Sequence, residues 1–189
     1  MRVIAGKFRS RPLRSLRGLD IRPTSDRLRE TLFNVLTAGN PQALEGSVWL
    51  DLFAGTGAVG IEALSRGASM VYFVEHSARA VELIRANLAS LGIKQGFRIL
   101  QLEACLALAK LDQEEVRASI VFLDPPYKFE NTYRTTLEAL ARSKLAARAQ
   151  VIAEHEERFD PGSRFAALER TRKLEQGDTA LSFYRPTAA

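Results

Sequence analysis

Cysteine occurs once in this chain of 189 residues, at Cys105, and histidine twice, at His76 and His155. A disulfide framework is therefore excluded, as is a zinc or iron–sulfur centre built from cysteine. The two histidines lie in different segments, so no metal site is expected. No apolar run approaches the length needed to cross a bilayer. No hydrophobic segment follows the early charges, so a secretory signal is not expected either. Hydrophobic residues are 46% and charged residues 26%, an ordinary globular balance that leaves out disordered and fibrous classes. The length suits one domain with some forty residues to spare as an extension.

Acidic residues are scarce at the start. Residues 1–29 hold nine basic side chains, Arg2, Lys7, Arg9, Arg11, Arg14, Arg17, Arg22, Arg27 and Arg29, against only Asp20 and Asp26. The whole chain has a net charge of +5, so all of the positive excess sits in this segment. A polyanion is its natural partner. Arginine predominates, and its planar fork suits phosphate and base edges. The basic residues interleave with Val3, Ile4, Phe8 and Leu13, which predicts a short strand or hairpin instead of a loose tail. Residues 1–46 are thus expected to be a basic extension that meets nucleic acid, ahead of a solvated face, a subunit contact or an anionic membrane, and residues 47–189 the domain that follows.

Arg22-Pro23-Thr24-Ser25-Asp26 reads as a turn into a helix over 26–36, capped by Thr24 or Ser25. From Val48 the rhythm changes. Strands are expected at 48–53, 70–75, 97–102, 119–123 and 150–153. Helices are expected at 58–66, 77–91, 105–111 and 131–143. Segments 167–174 and 179–184 flank Gly177 and read as a terminal hairpin. Strands alternating with helices give an α/β fold with a mostly parallel sheet. The final hairpin adds antiparallel strands, which suits a Rossmann-like, seven-stranded class I methyltransferase sheet.

Gly55, Gly57 and Gly60 follow the first strand and open a helix, matching G-x-G-x-x-G. Glu75 ends the second strand, where a carboxylate can accept both hydroxyl hydrogens of a ribose. Nicotinamide dinucleotides and S-adenosylmethionine both carry that ribose. Asp51 separates them. A carboxylate beside the turn has little use next to a pyrophosphate, but suits the positive sulfonium and ammonium groups of S-adenosylmethionine. Phe53 can line the methionine side. Glu103, after the third strand, is placed to meet the adenine amino group. The glycine loop has no Walker lysine, which argues against ATP hydrolysis.

Asp124-Pro125-Pro126-Tyr127 ends the fourth strand, where open α/β sheets bind ligands. Two prolines donate nothing, so the turn offers acceptors, the Asp124 carboxylate and the Pro125 carbonyl. Two fixed acceptors can hold a base amino group and turn its lone pair toward a methyl donor, while Tyr127 stacks on the base. Cytosine C5 methylation needs an activated cysteine. Cys105 lacks a helpful neighbour and is expected to be a small buried residue. His76 is expected to fill a surface turn or border the cofactor, and His155 to meet the rim of the site at most. A DNA amino-methyltransferase, another RNA amino-methyltransferase, a nicotinamide-dependent oxidoreductase and a non-catalytic RNA-binding assembly factor stay open. The first would usually carry a target-recognition insertion, the oxidoreductase leaves Asp51 and the proline turn unused, and the assembly factor leaves the cofactor pocket unexplained.

The stretches Met1 to Arg9, Arg22 to Asn34, Asp51 to Gly57, Glu62 to Ala68, Asp124 to Tyr127 and Gly177 to Tyr184 resemble RsmD. This is the bacterial family of small-subunit ribosomal RNA guanine-N2 methyltransferases. The resemblance covers nearly the whole chain. It implies S-adenosylmethionine as cofactor, surrounded by Asp51, Phe53, Gly55 and Gly57, with Glu75 on the ribose and Glu103 on the adenine side. It implies that Asp124, Pro125, Pro126 and Tyr127 hold the guanine amino group, and that Arg2, Lys7, Arg9, Arg11, Arg22, Arg27 and Arg29 address RNA. The implied substrate is guanine 966 of 16S rRNA in the assembling small subunit, with ribosomal proteins nearby. The same likeness implies a cytoplasmic enzyme; no membrane association is expected, and a monomer is expected although the sequence does not reveal oligomeric state. Glu103-Ala104 departs from the aspartate or asparagine that related proteins often have before that alanine.

Overall fold

A computed structural model describes residues 1–15, 25–126 and 130–187. They fall into two compact units, Met1–Gln101 and Leu102–Ala189. Thr24, Arg17, Arg22 and Tyr127, all named above, lie outside the described residues.

In the first unit, strands β1 (Val48–Leu52), β2 (Met70–Val74) and β3 (Phe97–Leu100) run parallel, with β1 beside β2 and β2 beside β3. Asp51 is in register with Phe73, and Phe73 with Ile99. The sequences of β1 and β2 are almost continuously apolar, as strands covered on both faces must be. Helices α1 (Asp26–Leu36), α2 (Ala58–Ser65) and α3 (Ala78–Ser90) belong to this unit. Ser25 caps α1 by accepting from the Leu28 N–H at 3.1 Å, and Ser77 caps α3 by accepting from Ala80 at 3.4 Å. Leu28, Leu32 and Phe33 of α1 are buried, and Phe33 stacks on the fully buried Trp49 with ring centroids 5.2 Å apart. The Trp49 indole N–H donates to the Ser47 hydroxyl at 3.0 Å, so burying the ring strands no donor.

The basic N-terminal segment is ordered. Arg2 and Pro12 form an antiparallel bridge around a 3₁₀ turn at Gly6–Phe8. Three side chains of the unit hold it. The Glu62 carboxylate accepts from the Ile4 N–H at 2.7 Å and the Ala5 N–H at 2.9 Å. The Ser65 hydroxyl accepts from Phe8 N–H and donates to the Ala5 carbonyl. Asn87, fully buried on α3, accepts from Arg14 N–H at 2.8 Å and donates to the Arg14 carbonyl at 3.1 Å. It also donates to the Thr56 carbonyl at 2.9 Å. Gly6 has φ +79° and lies so close to α2 that a Cβ would sit 1.9 Å from the Ser65 carbonyl oxygen.

In the second unit, α4 (Ala104–Gln113) precedes β4 (Ile120–Leu123), and α5 (Glu130–Arg142) precedes β5 (Gln150–Glu156). Strand β4 pairs with β5 in parallel. The chain then turns antiparallel through β6 (Arg164–Phe165), β7 (Leu168–Gln176) and β8 (Thr179–Pro186). Strand β8 pairs with both β5 and β7, so its first six residues are all buried. Gly177, with φ +62°, makes the tight turn between β7 and β8.

The expected α/β class and antiparallel C-terminus are present. The described residues hold eight strands instead of seven, because Phe165 and Leu168 close an extra hairpin two residues long. Strand β5 also runs three residues past its expected end. Glu154 and His155 are polar but buried, and each finds partners there: the Glu154 carbonyl accepts from Tyr133, and His155 Nε2 lies 2.9 Å from the Ser182 hydroxyl.

Removing the Asn87 carboxamide would leave the buried Thr56 carbonyl without this partner and release the part-buried backbone groups of Arg14. Asn87→Ala is expected to lower stability by about 2–4 kcal/mol in urea unfolding. Glu138→Ala, which breaks only an exposed pair with Arg134, should change it by less than about 1 kcal/mol.

Candidate functional site

In the first unit, the candidate site is built at the end of β1. The chain leaves the strand through Phe53, whose φ of +62° is uncommon for any residue with a side chain. Gly55 (φ +52°) and Gly57 (φ +75°) continue the turn in the same left-handed region, and Gly57 opens α2. Gly60 serves packing: a Cβ there would lie 2.3 Å from the Phe73 ring and 2.8 Å from Val71, so only glycine lets α2 approach β2 this closely.

Two carboxylates are fastened to this turn. Asp51 is 2% exposed, and its Oδ2 accepts from the Gly60 N–H at 2.9 Å. Burial pushes its pKa up to about 8, the Gly60 N–H opposes this, and the nearby charge of Glu75 adds to it. Glu75 is also buried; its two oxygens accept from Gly55 N–H at 2.9 Å and Ser77 N–H at 2.8 Å. Glu75 thus ties the glycine turn to the start of α3, and its Oε2, which accepts from Gly55 N–H, has a second lone pair that can meet a ligand hydroxyl. Among the described residues, the groups fastened to this turn are acidic, which fits a cationic, hydroxyl-bearing ligand better than a pyrophosphate. His76 is exposed, with Nδ1 3.3 Å from Glu75 Oε1.

Other residues expected from the sequence belong to the second unit. Glu103 is exposed and stands at the N-cap of α4 without a capping bond from its side chain. Asp124 is half-buried, Pro125 buried and Pro126 exposed, directly after β4. Cys105 is exposed, contrary to the expectation of a buried residue. It sits one position past the start of α4, on the side away from the buried Ala104, Ala107, Leu108 and Leu111. Partial burial and the nearby Glu103 charge raise its pKa, which leaves it a poor nucleophile. His155 is fully buried, with Nδ1 2.7 Å from the Glu156 carbonyl, so it is a packed core residue and not part of a rim.

Of the basic residues expected to meet RNA, Arg2, Lys7, Arg9, Arg11 and Arg27 are exposed. Arg11 leans on the unit, donating to the Ser90 carbonyl at 3.1 Å. Arg29 is different. It is wholly buried, bonded to the Asp26 carboxylate and to the Arg2 carbonyl at 2.8 Å, with Glu62 3.8 Å away. It holds the basic segment in place and offers no surface to a nucleic acid, which corrects the expected RNA contact. Arg22 and Tyr127 are outside the described residues.

Sequence reasoning passed over Glu62, Asn87 and Tyr133. Each is a polar residue in an otherwise apolar helical stripe, and that mismatch is the signal by which they could have been found. No group of three or more metal-ligating side chains occurs among the described residues, and no helix there is long and apolar enough to cross a membrane.

Acids at the ends of parallel strands, a glycine turn and a proline turn define the class I methyltransferase fold. A solved structure, "Putative methyltransferase yhhF from Escherichia coli", superposes with a TM-score of 0.82 at 30% identity, covering 100% of this chain and 99% of that one. The chain belongs to the family described as Conserved hypothetical protein 95, whose model matches residues 1–185. It is similar to "Putative rRNA methyltransferase YlbH" of Bacillus subtilis, 33% identical over 98% of both chains. It is also similar to "Ribosomal RNA small subunit methyltransferase D" of Haemophilus influenzae, 38% identical over 68% of this chain and 65% of that protein.

The raised pKa of Asp51 makes folding depend on pH. The native carboxyl keeps a proton that the unfolded chain releases above about pH 3.8. Its contribution to stability is therefore fully present below that pH and is lost as pH rises through about 8. Asp51→Asn is expected to raise stability at pH 7 by a few kcal/mol and to flatten the fall of the thermal midpoint between pH 5 and 9. A parallel fall in both proteins would show that Asp51 is not the group responsible.

Proposed function

We propose that this protein transfers a methyl group from S-adenosylmethionine to the exocyclic N2 amino group of a guanine in 16S rRNA, within the assembling small ribosomal subunit. Guanine 966 is the nucleotide to which the family resemblance points. The observation that carries this reading is the Asp124-Pro125-Pro126 turn after β4, which presents acceptors and whose two prolines have no backbone donor. The names borne by its relatives support the coarser part of it, methylation of ribosomal RNA. The enzyme works in the cytoplasm, as a monomer, on RNA already partnered by ribosomal proteins.

S-adenosylmethionine supplies, when bound, a methyl group activated by a positively charged sulfur. Asp51 meets the positive charge of that molecule from below the glycine turn, and its low-dielectric surroundings strengthen the attraction. Glu75 accepts from the ribose hydroxyls, Phe53 lines the methionine side and Glu103 serves the adenine side. Asp124 and the Pro125 carbonyl accept the two amino hydrogens of guanine, and Tyr127 stacks on the base. Held so, the nitrogen lone pair is turned out of conjugation with the ring. Asp124 stabilises the positive charge that develops on nitrogen and takes up the proton the nitrogen loses once methylated. Arg2, Lys7, Arg9, Arg11, Arg22 and Arg27 meet RNA phosphates.

Tritiated methyl transfer to small subunits lacking the modification, beside naked rRNA and DNA, tests the reading. N2-methylguanosine formed mainly on subunits is the expected product, and N6-methyladenine on DNA would overturn it. Asp124→Asn should lower the transfer rate at least about 100-fold with the cofactor Kd unchanged. Cofactor binding at pH 7 should release most of one proton as Asp51 ionises, and calorimetry in two buffers of different ionisation enthalpy should find that release absent in Asp51→Asn.

A further inference from the structure

We infer that Tyr133 is a positioning residue for methyl transfer, fixing the Pro125 carbonyl that receives the substrate amino group. The inference rests on the role proposed above for the Asp124–Pro126 turn. That turn has a particular difficulty. Two consecutive prolines remove two backbone N–H groups, so the turn cannot fasten itself through its own donors at those positions. A donor must come from elsewhere if the Pro125 carbonyl is to keep one direction.

Tyr133 supplies it from the first turns of α5. Its side chain is fully buried, and its hydroxyl lies 2.8 Å from the Glu154 carbonyl oxygen and 3.3 Å from that of Pro125. The single hydroxyl proton is shared between two acceptors, one on β5 and one on the turn that follows β4. One side chain thereby joins the turn to the strand beside it. The ring has little freedom to carry that hydroxyl away. Phe159 packs on it with centroids 5.1 Å apart, and His155 meets it edge-on at 6.4 Å. His155 is itself held by the Ser182 hydroxyl and the Glu156 carbonyl.

A carbonyl oxygen has two lone pairs. Tyr133 takes one on the inner side of Pro125, which leaves the other for an amino hydrogen of the base. The hydroxyl therefore acts on the geometry of the acceptor without touching the reacting atoms. A small loss of alignment between an attacking nitrogen and a methyl carbon lowers the rate without changing how tightly either partner is bound. Phenylalanine would fill the same pocket, so packing alone gives no reason for the hydroxyl.

The test compares Tyr133→Phe with the unaltered full chain in single-turnover methyl transfer, with RNA and S-adenosylmethionine both saturating. The expected result is a rate about tenfold lower, with Kd for cofactor and for RNA each unchanged within twofold. Ser182→Ala, which removes the bond to His155 and leaves the hydroxyl of Tyr133, serves as a destabilised control. It should lower the thermal midpoint and keep the full rate. A normal rate for Tyr133→Phe overturns the inference, as does a loss confined to the thermal midpoint. Should Tyr133→Phe not fold, Phe159→Leu frees the ring while keeping the hydroxyl. The same selective loss of rate is then expected, and a normal rate overturns the inference. Asp124→Asn separates the two levels. If it transfers methyl groups normally, the proposed reaction at this turn fails. If it is inactive while Tyr133→Phe is normal, only the positioning role fails.

Discussion

Glu62 is a carboxylate with no solvent exposure, set in a helix that is otherwise apolar, and much of the first unit is organised around it. A buried charge of this kind is tolerable only when fully partnered. Here its oxygens accept from two backbone N–H groups of the N-terminal segment and from Arg66 Nε at 2.8 Å, with the Arg29 guanidinium 3.8 Å away. Those partners come from the N-terminal segment, α1 and the end of α2. Satisfying one carboxylate therefore locates three pieces of chain against one another. The exposed arginines of the segment inherit a fixed spacing from this arrangement, which a free basic tail would lack.

The same logic governs the glycine turn. Its backbone lies in left-handed regions at Phe53, Gly55 and Gly57, conformations that local sequence alone would not hold. Glu75 and Asp51 hold it through bonds to the N–H groups of Gly55 and Gly60, and Asn87 holds it through the Thr56 carbonyl. The acids that suit a cationic cofactor also shape the loop that would receive it. The raised pKa of Asp51 is the counterpart of its burial beneath that loop, opposed only in part by the Gly60 N–H.

Much of the fold was legible because its signals are local. The Ser25 and Ser77 caps, the glycine punctuation and the apolar runs of β1 and β2 set element boundaries to within a residue or two. The elements that escaped depend on distant partners. Two residues of β6 carry no periodicity of their own, and the tail of β5 is polar until Ser182 and Tyr133 are placed beside it. The site divides in the same way. Asp51, Glu75 and the glycines announce themselves by their position after strands. Arg29 reads as one more surface arginine until Asp26, Glu62 and the Arg2 carbonyl are seen to enclose it. Tyr133 reads as helix filler until its hydroxyl is traced to Pro125.

Asn87 has a further consequence for how the first unit tolerates change. Its carboxamide grips Arg14 as a neighbouring strand would, matching one N–H and one carbonyl, while its second amide hydrogen reaches Thr56. The end of the basic segment and the glycine turn thus share a single hinge pin, though they stand 42 positions apart in the chain. Moving α3 by one helical position would unseat both of its clients together. The register of α3 is therefore fixed by two distant segments at once.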